Sequence, residues 1–156
     1  DVQRGVAAEV AAAGISVIPQ PQTNLYLQSR GATTAAPRGL APIDVLREAG
    51  VLVAAGGDNV QDPFNPIGRG DPLETAALLV LAGHQLPDVA YRMVSNDARE
   101  VMGFERVEMQ VGDPADFVVM SVSSAREAIA MAGHNRLVFK AGRLVASSVS
   151  QLTIHR

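Results

Sequence analysis

Val51-Leu52-Val53-Ala54-Ala55 is an unbroken apolar run set between Gly50 and Gly56-Gly57. A run this short reads as a strand, and a strand apolar at every position must be covered on both faces. That requirement points to a parallel sheet flanked by helices. The preceding residues agree. Residues 42–49 read as a helix with Pro42 near its first turn and Gly50 ending it. Further upstream, Val2, Val6, Val10 and Ala13 share one helical face, Gly14 stops that helix, and residues 15–19 read as a short buried strand. Residues 20–38 are polar, rich in Thr, Gln, Ala and Gly, and without a clear period, so a long loop is expected there. Helix, strand, loop, helix, strand is the alternation of an α/β fold.

Past the apolar run comes Gly56-Gly57-Asp58-Asn59-Val60-Gln61-Asp62-Pro63-Phe64-Asn65-Pro66, a loop stiffened by its prolines. Asp71-Pro72 opens another helix as N-cap and first helical residue, with an apolar stripe of Leu73, Ala77, Val80 and Leu81. Residues 87–95 and 97–102 are expected to be helical. Composition then shifts. Residues 107–112 and 116–120 read as short strands around the turn Gly112-Asp113-Pro114, residues 123–131 as a short helix, and residues 136–140 and 143–147 as a hairpin about Ala141-Gly142. No internal repeat or low-complexity tract is visible.

Several function classes drop out. A net charge of −3 with no run of Lys or Arg argues against a nucleic-acid or membrane partner. Having no Cys excludes a disulfide scaffold, a thiolate zinc site and a Cys nucleophile. No apolar stretch reaches the roughly 18 residues of a spanning helix, and no signal-peptide pattern opens the chain. The cytoplasm is therefore the default expectation. The 156 residues suit one ordinary domain, yet the chain opens on Asp1-Val2-Gln3-Arg4 without Met, directly in a helical pattern. The expectation is that it begins partway through an element.

Asp58 is the best candidate for chemistry. It follows the carboxyl end of the expected parallel strand, where α/β folds place ligands and catalytic groups. An Asp there can bind a metal or move a proton; the competing reading is a turn cap. Asp62 and Asp71 read as turn and cap residues, and Asp44 with Glu48 as a solvated helix face. His84 reads as a partly buried helix residue, His134 as part of a turn, and His155 as tail; no two have metal-ligand spacing. Gly68 and Gly70 do not make a dinucleotide fingerprint, and there is no P-loop and no G-x-S-x-G. Among the aromatics near loops, Tyr26, Phe64 and Phe104, Phe64 shares the loop of Asp58 and could wall a flat ligand or anchor the loop in the core.

Four segments together resemble the C-terminal part of amidohydrolase-superfamily enzymes of the cytosine deaminase branch. Pro21-Gln22-Thr23-Asn24-Leu25-Tyr26-Leu27-Gln28-Ser29-Arg30 resembles the stretch after the seventh barrel strand. Arg38-Gly39-Leu40-Ala41-Pro42, running on to Leu46-Arg47-Glu48-Ala49-Gly50-Val51, resembles the next helix and the eighth strand. Gly57-Asp58-Asn59-Val60-Gln61-Asp62-Pro63-Phe64-Asn65-Pro66-Ile67-Gly68 resembles the loop after that strand, and Val111-Gly112-Asp113-Pro114-Ala115-Asp116-Phe117-Val118-Val119 the return to a small β-sandwich.

The resemblance implies the closing part of a metal-centred (β/α)₈ TIM barrel over residues 1–105 and a contribution to the β-sandwich over residues 106–156. It implies hydrolytic deamination of a heterocycle by water activated on a divalent metal, zinc or iron. By its place in the motif, Asp58 resembles the family's metal-contacting, proton-accepting Asp, while Asn59 and Phe64 resemble substrate-binding pocket residues. Cytosine deaminases typically carry a second acid at the position of Asn59, and an Asp-Asn pair resembles instead the N-isopropylammelide type of amidohydrolase. The family's H-x-H pair, its further His and its catalytic Glu precede the segments matched here. The expectation is thus about a third to two-fifths of an enzyme, with a small-molecule heterocycle as substrate, the N-terminal part of the barrel as missing partner, and the homo-oligomeric assembly common in the branch. Alone, the chain is expected to be inactive; a non-catalytic binding module is the alternative from another class.

Overall fold

The computed structural model describes residues 2–37, 39–133, 135–151 and 153–155. Asp1, Arg38 and His134, which figure in the readings above, lie outside the described residues, as does the side chain of Val2. The chain divides into two compact units, Asp1–Arg106 and Val107–Arg156.

In the first unit, helix α1 (Val2–Ala12) ends on Gly14 and helix α3 (Ile43–Glu48) on Gly50, both at positive φ (66° and 88°). Each glycine turns the chain so that the amide beyond it reaches back one turn. Ile15 N–H donates to Val10 O at 3.1 Å, and Val51 N–H to Leu46 O at 3.0 Å, the Schellman pattern. Each helix thus feeds an extended segment, and the two segments run parallel. Val17 N–H donates to Leu52 O at 3.0 Å, and Ala54 N–H to Val17 O at 3.1 Å. The regular pairing is a single bridge, Val17↔Val53, rather than the two strands expected, with one further bond beyond it from Gly56 N–H to Pro19 O at 3.3 Å. The next rung would need an N–H from residue 19, and Pro19 has none. Ala54 and Val53 are each only 1% exposed, so this run is covered as its composition requires.

Residues 20–38 are not all loop. Helix α2 (Pro21–Leu27) begins on a proline, preset in φ for the first helical position. Helices α4 (Pro72–Leu81), α5 (Pro87–Met93) and α6 (Asn96–Val101) complete the unit. α1 packs on α3, α4 on both α2 and α5, and α5 on α6. Two stripes fall differently from expectation. On α1, Ala7 is buried and Val6 half-exposed, because a small side chain lets α1 approach α3 closely. On α4 the buried residues are Leu73, Thr75, Ala76 and Leu79, while Leu81 is exposed; an all-apolar run leaves the phase to its neighbours. Asp97, buried at the start of α6, pairs with Arg47 of α3 at 3.6 Å and with Arg106 at 3.0 Å.

The second unit is an antiparallel sheet of strands β1 (Phe117–Met120), β2 (Arg136–Lys140) and β3 (Arg143–Ser148), in that order, with helix α7 (Ala125–Met131). Phe117 pairs with Phe139 in register, and their rings stack at 4.8 Å. The hairpin turn Ala141-Gly142 has positive φ at both residues, matching the strand twist. The Asp116 carboxylate ties that turn to β1 by accepting from Ala141 N–H at 2.8 Å and pairing with Lys140. Residues 107–112 form no strand. The Asp113 carboxylate takes the N–H groups of Glu108 (2.7 Å) and Gln110 (3.0 Å), and Met109 stands at φ 59°, so these amides are satisfied locally. No helix among the described residues is long and apolar enough to cross a membrane.

Candidate active site

The chain leaves residue 55 through Gly56 and Gly57 and reaches Asp58 at φ 56°. A left-handed backbone is unfavourable for a residue with a Cβ and persists only where the surroundings fix it. The Asp58 carboxylate is exposed. It lines a cleft of about 280 Å³ with Gly57, Val60, Asp71, Thr75 and Val94, among others. The cleft therefore sits where the extended run ends and α4 begins.

The rest of the loop is organised by Asp62. Its Oδ1 accepts from Phe64 N–H (2.8 Å) and Asn65 N–H (3.0 Å), and its Oδ2 accepts from the Asn59 amide. Partial desolvation pushes the Asp62 carboxyl up. The Phe64 and Asn65 amides, joined by the Asn59 side chain, outweigh it and hold the group below its ordinary value. Asn65 is buried and donates its Nδ2 to Asn59 O at 2.7 Å. A Cβ on Gly68 would lie 2.4 Å from that same Nδ2 and 3.0 Å from Asn59 O, so only glycine fits there. The loop is thus knotted by its own side chains.

These contacts place the expected site residues. Asp58 lines the cleft. Asn59 is half-buried with its amide turned to Asp62, and Phe64 is 52% exposed, so it does not anchor the loop in the core. Neither is among the residues lining the cleft around Asp58. Asp62 acts as a turn residue and Asp71 as the N-cap of α4, accepting from Leu73 N–H at 3.0 Å. Asp44 is exposed and accepts from the Gln85 amide at 2.9 Å. His84 is not in a helix: α4 ends at Leu81, and His84 stands exposed at φ 55° beyond Gly83, whose added Cβ would meet Leu79 O at 2.7 Å. Tyr26 lies under the Arg30 guanidinium at 4.0 Å, and Phe104 is 58% exposed.

Sequence reasoning missed two groups at the cleft, Thr75 in its lining and Gln22 behind it. Gln22 of α2 donates its Nε2 to Thr75 Oγ1 of α4 at 2.7 Å, and both are buried. A Cβ on Gly57 would lie 3.6 Å from that Nε2 and 3.7 Å from that Oγ1, so the pair stands directly behind the glycine preceding Asp58. Asn65 was also missed; its one signal is its place between two prolines.

Among the described residues, no group of three or more His, Cys, Asp or Glu side chains could hold a metal ion. Asp58 offers one carboxylate where zinc takes roughly four donors. The donors among the described residues therefore do not fit a resident divalent metal by themselves.

A model of the amidohydrolase family matches residues 1–146. The chain is 34% identical over 145 residues to a pterin deaminase of Rhizobium rhizogenes, covering 90% of this chain and 33% of that protein. Its structure is similar to a 5-methylcytosine deaminase of Klebsiella pneumoniae liganded with 5-fluorocytosine, with a TM-score of 0.81 at 19% identity over 97% of this chain and 38% of the other. It is also similar to an N-isopropylammelide isopropylaminohydrolase of Burkholderia multivorans, with a TM-score of 0.75 at 28% identity over 93% and 35%. The chain thus spans about a third of the length of these relatives.

Proposed function

The chain belongs to the amidohydrolase family, and on that premise we propose that it is a portion of a hydrolase that removes an amino group from a heterocycle, with Asp58 as its proton-handling residue. The observation that carries this reading is Asp58 itself: an exposed carboxylate at φ 56°, lining a cleft at the end of a buried parallel segment. We read residues 1–105 as the closing part of a (β/α)₈ barrel and residues 106–156 as a contribution to a small β-sandwich. The helix–extended alternation and the likeness to the deaminase structures support that division.

In the reaction, water adds its oxygen to the ring carbon bearing the amino group. The Asp58 carboxylate takes a proton from that water, the carbon–nitrogen bond breaks, and the proton is returned to the departing nitrogen. No electron transfer is involved. The family generally uses a divalent metal; this chain would offer it Asp58, with the remaining ligands outside the chain. Asn59 and Phe64 are proposed to line the substrate pocket of the intact protein. A ring carrying an amino-substituted C–N unit is common to pterin, cytosine and N-isopropylammelide, and those three form the test panel.

Asp58→Ala in the intact protein is expected to lower turnover on the best panel substrate by 10²-fold or more, on the order of a lost catalytic acid–base group. Release of ammonia or isopropylamine measures it. Near-normal release with the fold intact removes Asp58 from the reaction.

A further inference from the structure

Asp58 needs support. Its backbone is left-handed, and the residue before it, Gly57, has no side chain with which to pack. What stands behind Gly57 is polar. Gln22 and Thr75, 53 positions apart and on different helices, meet there through one 2.7 Å hydrogen bond. Thr75 is 1% exposed and Gln22 8%. Apolar residues of the same volume would fill this space without removing an amide and a hydroxyl from water. The pair is also incomplete, because Gln22 Oε1 is buried with no hydrogen-bond partner among the described residues. Within this portion of the protein, an open buried acceptor carries a stability penalty at that place. Such penalties gather where function, not folding, sets the residue.

We propose that Gln22 and Thr75 are positioning residues for Asp58: the hydrogen-bonded pair is the backstop for Gly57, and it fixes the direction in which the Asp58 carboxylate enters the cleft. The proposal rests on the reading of Asp58 given above. Thr75 also borders the cleft, but its hydroxyl is engaged by Gln22, and the role assigned to the pair runs through the backbone at Gly57. The essential element is the Thr75 oxygen. Thr75→Val keeps the shape and removes the acceptor, leaving the Gln22 amide unpaired. Thr75→Ser keeps the acceptor and removes a methyl group.

The test is steady-state turnover by the intact protein on whichever panel heterocycle it converts best, with melting temperature measured in parallel. Thr75→Val is expected to lower kcat about 10- to 100-fold, the scale of a misplaced catalytic group. KM is expected to stay within about twofold, since valine keeps the shape that Thr75 gives the cleft wall. Thr75→Ser is expected to restore kcat to within about threefold of the unaltered protein, and Gln22→Met to behave as Thr75→Val. Wild-type kcat in Thr75→Val overturns the proposal. So does equal impairment of Thr75→Val and Thr75→Ser, which would mark a packing role alone. Asp58→Ala keeps the two readings apart. If it is inactive while Thr75→Val is normal, only the positioning role fails; if it stays active, the reading of Asp58 fails as well.

Discussion

Asp62 shows how a single carboxylate can organise the loop that follows Asp58. Both of its oxygens are committed within the loop, to Phe64, Asn65 and Asn59, so the path after Asp58 depends on its charge. Its folded-state pKa is lowered from an ordinary value of 3.8. A lowered carboxylate contributes order that is fully present above the ordinary value and is lost as pH falls through the folded one. The loop should therefore stay knotted from neutrality to about pH 4 and loosen only below it. The Phe64 and Asn65 amide resonances should titrate together with a midpoint below 3.8; a midpoint above it would contradict the network. The place of Asp58 beside the cleft was legible in the sequence because an apolar run covered on both faces ends just before it. Gln22 and Thr75 were not, because their contact joins distant positions and each looks ordinary within its own helix. The turn of Asn59 towards Asp62 was equally invisible, since residue type does not say which way an amide points.

At the level of elements, glycine stops were readable and proline effects less so. Gly14 and Gly50 announced the ends of α1 and α3 because the bond that closes a Schellman turn needs a left-handed residue there. At Gly50 nothing lies within 4 Å of an added Cβ. Gly50→Ala should therefore destabilise by backbone strain alone, about 1–2 kcal/mol. Thermal unfolding of the intact protein measures it, and an unchanged melting temperature would show that the turn is not under strain. Helix α2 went unseen because its seven residues carry little periodicity; its one signal was Pro21 at the first helical position. The 15–19 segment, read as a strand of a parallel sheet, does run beside 51–55, but its ladder is interrupted, since a missing N–H at Pro19 matters only once the pairing partner is known. Residues 107–112 have strand-like composition, yet Asp113 claims their amides, and a side-chain acceptor competing with a sheet leaves no mark on hydrophobic pattern.

For the molecule as a whole, the alternation that defines the α/β class was legible, whereas the partners of the site were not, because one carboxylate does not say what stands opposite it. Among the described residues the parallel pairing is one bridge and the metal-capable clusters are none. A polypeptide of residues 1–156 on its own is accordingly expected to release no ammonia or isopropylamine from the panel, with zinc or iron supplied. Turnover by that polypeptide, with metal bound in stoichiometric amount, would end the reading of it as a portion of a larger catalyst. The knotted loop has a consequence for how such a protein can change over time. Asn59 donates to Asp62, so an acidic residue at 59 would set two carboxylates against each other at the place where a hydrogen bond now closes the loop. Coupling of this kind makes the cost of any change at 59 depend on what stands at 62, so the two positions are expected to vary as a pair.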